Sequence, residues 1–238
     1  MLLLSAAITG FTFYAPAQVQ HSGWLASFNT FSTGKKTSIH FDGQWRSSGH
    51  VKNMQTLLLR GGFNYKISSA ATLTGGYAYI LNRKILNGIT GYAPEHRLWQ
   101  QALLKHKLKK IEVTHRFRTE QRFMANSSIQ NNRFTNEGSN YASRFRYFIR
   151  NVLPLASAEN GFSKGMFASL QNELFLNVGN TQTVNGKTFD QNRLYLALGY
   201  KLNKRYSFDV GYLNQYINGK NNAFTNNHIV QLAAYTSL

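Results

Sequence analysis

Apolar and polar residues alternate with a period of two through most of the chain. Residues 111–123 show it most clearly. Glu112, Thr114, Arg116, Arg118, Glu120 and Arg122 fall on one parity, while Ile111, Val113, His115, Phe117 and Phe123 lead the other. Successive side chains of a strand point to opposite faces, so the pattern predicts a β-strand with one charged and one apolar face. A face this rich in charge cannot be the packed interior of a sandwich, where unpaired charge is costly. A strand wet on one side and oily on the other suits the wall of a membrane barrel.

Other segments repeat the pattern. Arg144, Arg146 and Arg150 oppose Phe145, Tyr147 and Ile149; Gln171, Glu173 and Asn177 oppose Leu170, Leu174 and Leu176. Gln191, Arg193 and Tyr195 oppose Leu194, Leu196 and Leu198, and Asp209 and Gln215 oppose Phe208, Val210 and Tyr212. Near the start, His40, Asp42, Gln44 and Arg46 oppose Ile39, Phe41 and Trp45. Each barrel strand gives a weak signal, and the recurrence carries the prediction. Strands are predicted at 22–31, 37–46, 54–66, 70–82, 95–106, 111–124, 141–153, 166–178, 191–201, 205–217 and 227–238. Closed bacterial barrels usually have an even strand number. Ten is therefore expected, with 22–31 a lead-in or bore segment, or twelve with one long segment split.

The connections alternate in length. Short ones fall near 68–70, 106–110 and 201–204, joined by a medium one at 154–165; long ones fall at 83–94, 125–140, 179–190 and 218–226. Short periplasmic turns alternating with longer extracellular loops is the barrel scheme, which puts the lysine-bearing turns on the periplasmic side. Pro16, Pro94 and Pro154 all fall outside the predicted strands, as a residue without an N–H donor should. Gly61-Gly62 and Gly75-Gly76 sit mid-strand and predict bends or close backbone approach.

Composition adds three constraints. No stretch is long and apolar enough for a transmembrane helix, and the absence of cysteine excludes a disulfide or thiolate–metal scaffold. The apolar start, ending in Ala15-Pro16-Ala17, reads as a secretory leader at 1–17 with cleavage after Ala17, although no basic residue precedes Lys35. Residues 18–238 then form one domain. The formal net charge of +18 would direct a soluble protein toward nucleic acid, but here its location matters more than its sum. Arginine concentrates on the faces assigned to the bore, whereas lysine sits mostly in turns.

The strings Glu95-His-Arg-Leu-Trp-Gln-Gln101, Arg116-Phe-Arg-Thr-Glu-Gln-Arg122 and Arg144-Phe-Arg-Tyr147 follow one another in order. Asn172-Glu173-Leu-Phe175, Gln191-Asn-Arg193, Leu198-Gly-Tyr200 and Gly211-Tyr212 continue them. As a set they resemble a bacterial outer-membrane family of unknown function (domain of unknown function 2490). The resemblance covers nearly all of 18–238. It implies a short outer-membrane barrel and supplies no established activity.

The expectation is thus an all-β fold: a single antiparallel up-and-down transmembrane barrel of about ten to twelve strands with a polar, Arg/Glu-rich bore. The candidate site is a charged network of Glu95, Arg97, Glu112, Arg116, Arg118, Glu120, Arg122, Arg144, Arg146, Arg150, Glu173, Arg193 and Asp209. Two readings fit it. Arg–Glu pairs fill and stiffen a narrow interior, or the arginine excess attracts anions into a conduit or pocket. Outer-membrane lipid is the expected partner, with small anionic solutes in the second reading, and no nucleic acid.

A barrel hydrolase acting on lipid or peptide is the alternative from another class. Its Ser–His candidates are Ser47 or Ser48 with His50, and Ser22 with His21, but they lack a Gly-x-Ser-x-Gly elbow. Paired acids at an extracellular rim would rest on Glu137 and Asp190. No metal or cofactor is expected: His40 and Asp42 share a face as ordinary bore polar groups, and the Asn-rich loops lack clustered carboxylates. A soluble basic β protein binding nucleic acid is the third reading.

Overall fold

A computed structural model of the chain describes residues 17–155 and 162–238. Eleven strands form one closed barrel: β1 (Ala17–Ser32), β2 (Thr37–Ser48), β3 (Asn53–Lys66), β4 (Ala71–Leu86), β5 (Ile89–Leu108), β6 (Ile111–Gln130), β7 (Arg133–Pro154), β8 (Gly165–Val178), β9 (Phe189–Lys201), β10 (Tyr206–Asn218) and β11 (Phe224–Ser237). All the predicted segments are strands. Each pairs antiparallel with its sequence neighbour, as short hairpin connections require.

The expectation of an even number is overturned. With eleven strands the first and last run in the same direction. They close the wall as a parallel pair, in register from Ala17 opposite Phe224 to Thr30 opposite Ser237. The 22–31 segment is therefore part of the wall and not a lead-in. The expected leader lies almost wholly outside the described residues; Ala17, its last residue, is the first of β1.

Two of the expected long loops are also corrected. Residues 83–94 and 125–140 are strand extensions that carry β4–β5 and β6–β7 beyond their neighbours. The β4–β5 hairpin turns at Asn87 and Gly88 (φ 49° and 78°), and the β6–β7 hairpin at Asn131 and Asn132 (φ 49° and 57°). Two consecutive left-handed residues are what a tight hairpin matching the strand twist needs, and Asn and Gly adopt that conformation most readily. The polar composition that reads as loop belongs instead to solvated strand. Pro94 consequently lies inside β5, and Pro154 is the last residue of β7. Pairing of β5 with β6 begins only at Glu95, so Pro94 sits where one flank of the strand has no partner and a missing donor is tolerated.

Sidedness follows the parity. Leu25, Leu59, Leu98, Phe117, Leu170, Leu194, Leu196, Leu198, Phe208, Val210 and Leu232 point outward and are 39% to 55% exposed. Outward rings meet across strands, as in Phe117–Tyr147 and Phe123–Tyr141. The opposite parity buries Arg118, Glu120, Arg144, Arg146, Glu173 and Asp209.

The glycine pairs have a specific use. Gly62 of β3 stands opposite Gly76 of β4, and the Trp99 ring of β5 lies across both. A Cβ on Gly62 would come within 2.8 Å of that ring, and one on Gly76 would also strike the Gly61 carbonyl. The missing side chains make room for a fully buried tryptophan within a narrow bore.

Candidate functional site: the charged bore

The inward parity of neighbouring strands places complementary charges at neighbouring heights. Arg97 of β5 stands opposite Arg122 of β6, Glu120 opposite Arg144 of β7, and Arg146 opposite Phe175 of β8. Like charges thus face each other at some rungs. The network resolves this by pairing along the strands and diagonally. Glu95 takes the Nε of Arg97 and of Arg122, both at 2.6 Å. Glu120 takes Arg144 at 2.7 Å and also Arg146, with Arg97 and Arg118 at 3.6 and 3.9 Å.

Glu173 takes Arg116 and Arg146, both at 2.7 Å. Asp209 takes Arg150 at 2.7 Å and accepts from the hydroxyls of Tyr195 (2.6 Å) and Tyr235 (3.1 Å). Most of these groups are nearly dry, so partial satisfaction would be costly and multiple charge-assisted bonds are needed to hold them.

Several members were not part of the expected network. Asp42 of β2 pairs with Arg60 of β3 at 3.3 Å and with His40 at 3.0 Å. Asp190, expected at an outer rim, is buried in β9 and pairs with Arg144 at 2.8 Å, whereas Glu137 is exposed and accepts from Gln130. Conversely, Glu112 lines a cavity in the bore but makes no ion pair among the described residues. Among the described residues, eight arginines pair with six carboxylates. Arg46 and Arg193 have no carboxylate partner among the described residues.

Aromatic rings hold the guanidiniums at mid-height. Phe175, fully buried, has Arg144, Arg146 and Arg193 at 5.0, 4.4 and 4.7 Å from its centroid. Arg118 lies 4.6 Å over Trp99, and Arg116 lies 4.2 Å over Phe148. Arg46 and Arg193 both lie over Trp24, at 4.1 and 5.1 Å. A ring face attracts a cation and adds apolar contact, so these stacks reduce the cost of arginines placed close together.

This layer divides the bore. Toward the long-hairpin end is a cavity of about 730 Å³, lined by Glu95, Arg97, Arg122, Arg144 and Asp190 among others. Toward the lysine-rich turns is one of about 430 Å³, lined by Arg60, Arg116, Arg146, Arg150 and Arg193 with several aromatic rings. Trp24 and Arg46 belong to both linings and mark where the cavities meet.

The hydrolase candidates are not assembled. The Ser47 hydroxyl donates to the Gly23 carbonyl and accepts from the Gly23 N–H, and the Ser22 hydroxyl donates to Asn227. His50 and His228 stack on either side of His21. Among the described residues, no group of three or more His, Asp or Glu is arranged to hold a metal ion.

Comparison with known proteins gives a consistent result. The family described as "Protein of unknown function (DUF2490)" matches residues 21–226. An uncharacterized protein of Methylorubrum extorquens, MexAM1_META1p0181, is 24% identical over 190 residues, which covers 79% of this chain and 75% of that one. No solved structure matches.

Proposed function

The chain belongs to this family of unknown function, DUF2490, and we propose that it is an outer-membrane barrel whose bore is stiffened and closed at mid-height by its Arg/Glu/aromatic layer. The observation that carries the reading is sidedness. Rows of Leu, Val, Phe and Tyr are about half exposed on the outer wall while the charges turn inward. Soluble monomers rarely leave so continuous an apolar surface in water, and a lipid-facing wall is supposed to look like this. The bilayer core is the partner of that wall. The lysine-bearing turns lie on the periplasmic side and the long hairpins outside.

Closure of the bore rests on Phe175, Tyr195, Arg118 and Glu120, each at most 2% exposed, and on the meeting of the two cavities at Trp24 and Arg46. The barrel acts as an envelope component and not as an enzyme. The Ser47 and Ser22 hydroxyls are engaged with Gly23 and Asn227.

Fractionation and reconstitution test this. The protein is expected in the outer membrane, to be extracted only with detergent, to refold into lipid vesicles and to give no steady current across a planar bilayer. Recovery as a detergent-free soluble monomer overturns the membrane assignment and favours the basic soluble alternative. A second reading, a narrow anion-favouring conduit, is supported by Arg46 and Arg193, which meet over Trp24 without a carboxylate partner among the described residues. Steady anion-selective current would establish it and overturn closure.

A further inference from the structure

The 430 Å³ cavity has an asymmetry that packing does not account for. Among the described residues, eight basic side chains and two carboxylates line it. Arg193 is only 9% exposed, yet it makes no ion pair and donates no hydrogen bond among the described residues, and its Nε is buried without a partner. Glu173 stands directly opposite Arg193 in register but turns to Arg116 and Arg146 instead. Arg46, the neighbour of Arg193 over Trp24, bonds only Gln44, and its Nε also lacks a partner. Burying a cation without an anion is costly, and a wall built for stiffness alone would place a carboxylate here. Phe28, Phe148, Phe162 and Phe167 line it with Leu213 and Val152 as apolar surface, between polar side chains such as Gln44, Gln171 and Gln231. The volume lies within the range of small-molecule pockets.

We propose that this cavity binds a single-chain anionic amphiphile, its carboxylate or phosphate head on Arg193 and Arg46 and its alkyl chain among the phenylalanines. The head supplies the missing counter-charge. The chain fills apolar space that a small inorganic anion would leave wet. Lys105 and Lys201 stand at the cavity's lysine-turn side, where an incoming anion would meet positive charge first. The proposal needs the closed barrel and holds whether or not the bore conducts.

Calorimetric titration of the full chain in non-ionic detergent, with detergent blanks, tests it. Octanoate and octyl phosphate are the probes. Octan-1-ol supplies the tail without charge, and butyrate the head with almost no tail. One-to-one saturable binding of either eight-carbon anion is expected, with octan-1-ol and butyrate at the blank. The tighter head tells whether a free acid or a phosphorylated lipid is the source. Arg193→Gln should weaken binding about tenfold, the loss of one charge-assisted bond. It should fold, because it removes a charge without stranding a carboxylate, and Arg46→Gln serves as a second variant. Gln55→Ala, in the other cavity, should bind as the native chain does. Neither anion binding above blank, octan-1-ol binding as tightly, or both arginine variants binding with native affinity would overturn the proposal.

Discussion

Replacing Glu120 with Ala tests the charged layer at its centre. Glu120 is 2% exposed and holds Arg144 and Arg146 directly, with Arg97 and Arg118 within 4 Å. Removing one partner of a buried pair typically costs about 3–5 kcal/mol, because the other charge is left uncompensated. Here the remaining contacts soften the loss. Arg144 keeps Asp190, Arg146 keeps Glu173 and Arg97 keeps Glu95. Arg118 alone loses its only carboxylate and keeps Gln101. The expected cost is therefore near the lower end, about 3 kcal/mol. Glu120→Gln retains one acceptor oxygen and should lose less. Exposed Glu137→Ala should stay within about 0.5 kcal/mol. Urea unfolding of the chain refolded in lipid vesicles, followed by far-ultraviolet circular dichroism, measures all three. Equal effects of Glu120→Ala and Glu137→Ala would refute a cooperative interior network.

Three further outcomes are expected. Leu196→Arg, on the outer wall and 51% exposed, should destabilise the lipid-refolded barrel by about 2–4 kcal/mol near the midplane. No loss in the same titration would mean that this wall does not meet lipid. Gly76→Val should dislodge Trp99 and cost about 1–3 kcal/mol through overpacking, read as a red-shifted tryptophan emission with a lower urea midpoint. Unchanged emission and midpoint would mean that the ring is not wedged there. The chain lacks cysteine, so Leu25→Cys combined with Leu232→Cys gives a clean probe of the parallel seam. Mild oxidation should crosslink the two introduced thiols within one chain. Two thiols that stay free after oxidation, both still open to a maleimide, would leave β1 outside the wall.

The parts legible in the sequence were those that parity alone decides. Arg118 and Glu120 share a face with Arg116 and Arg122 wherever the strand lies, because strand geometry leaves no other choice. Three things were hidden for physical reasons. The β1 segment, with Ser22, Gly23, Ser27 and Asn29 among its apolar residues, has little contrast between faces, so its place in the wall depends on β11 and not on its own pattern. The β6–β7 hairpin looks like a loop because its strand ends beyond the apolar zone are largely polar on both faces. Trp99 and Phe175 sit on the inward parity among charges, which reads as a break in the alternation until they are seen beneath the guanidiniums.

That last feature connects stability to function. An all-charged septum would set arginines side by side at several heights with too few acids between them. Phe175 separates Arg144, Arg146 and Arg193 while giving each a polarizable face. Among the described residues carboxylates serve eight arginines, and Trp24 gathers Arg46 and Arg193, which have none. The guanidinium charge left without a carboxylate at mid-height is thus not spread out. It is focused at the point where the two cavities meet, on side chains whose removal would strand nothing. A residue whose absence would relieve the fold locally has the energetic signature of a binding group, and Arg193 is the position where stability and ligand affinity are expected to move in opposite directions.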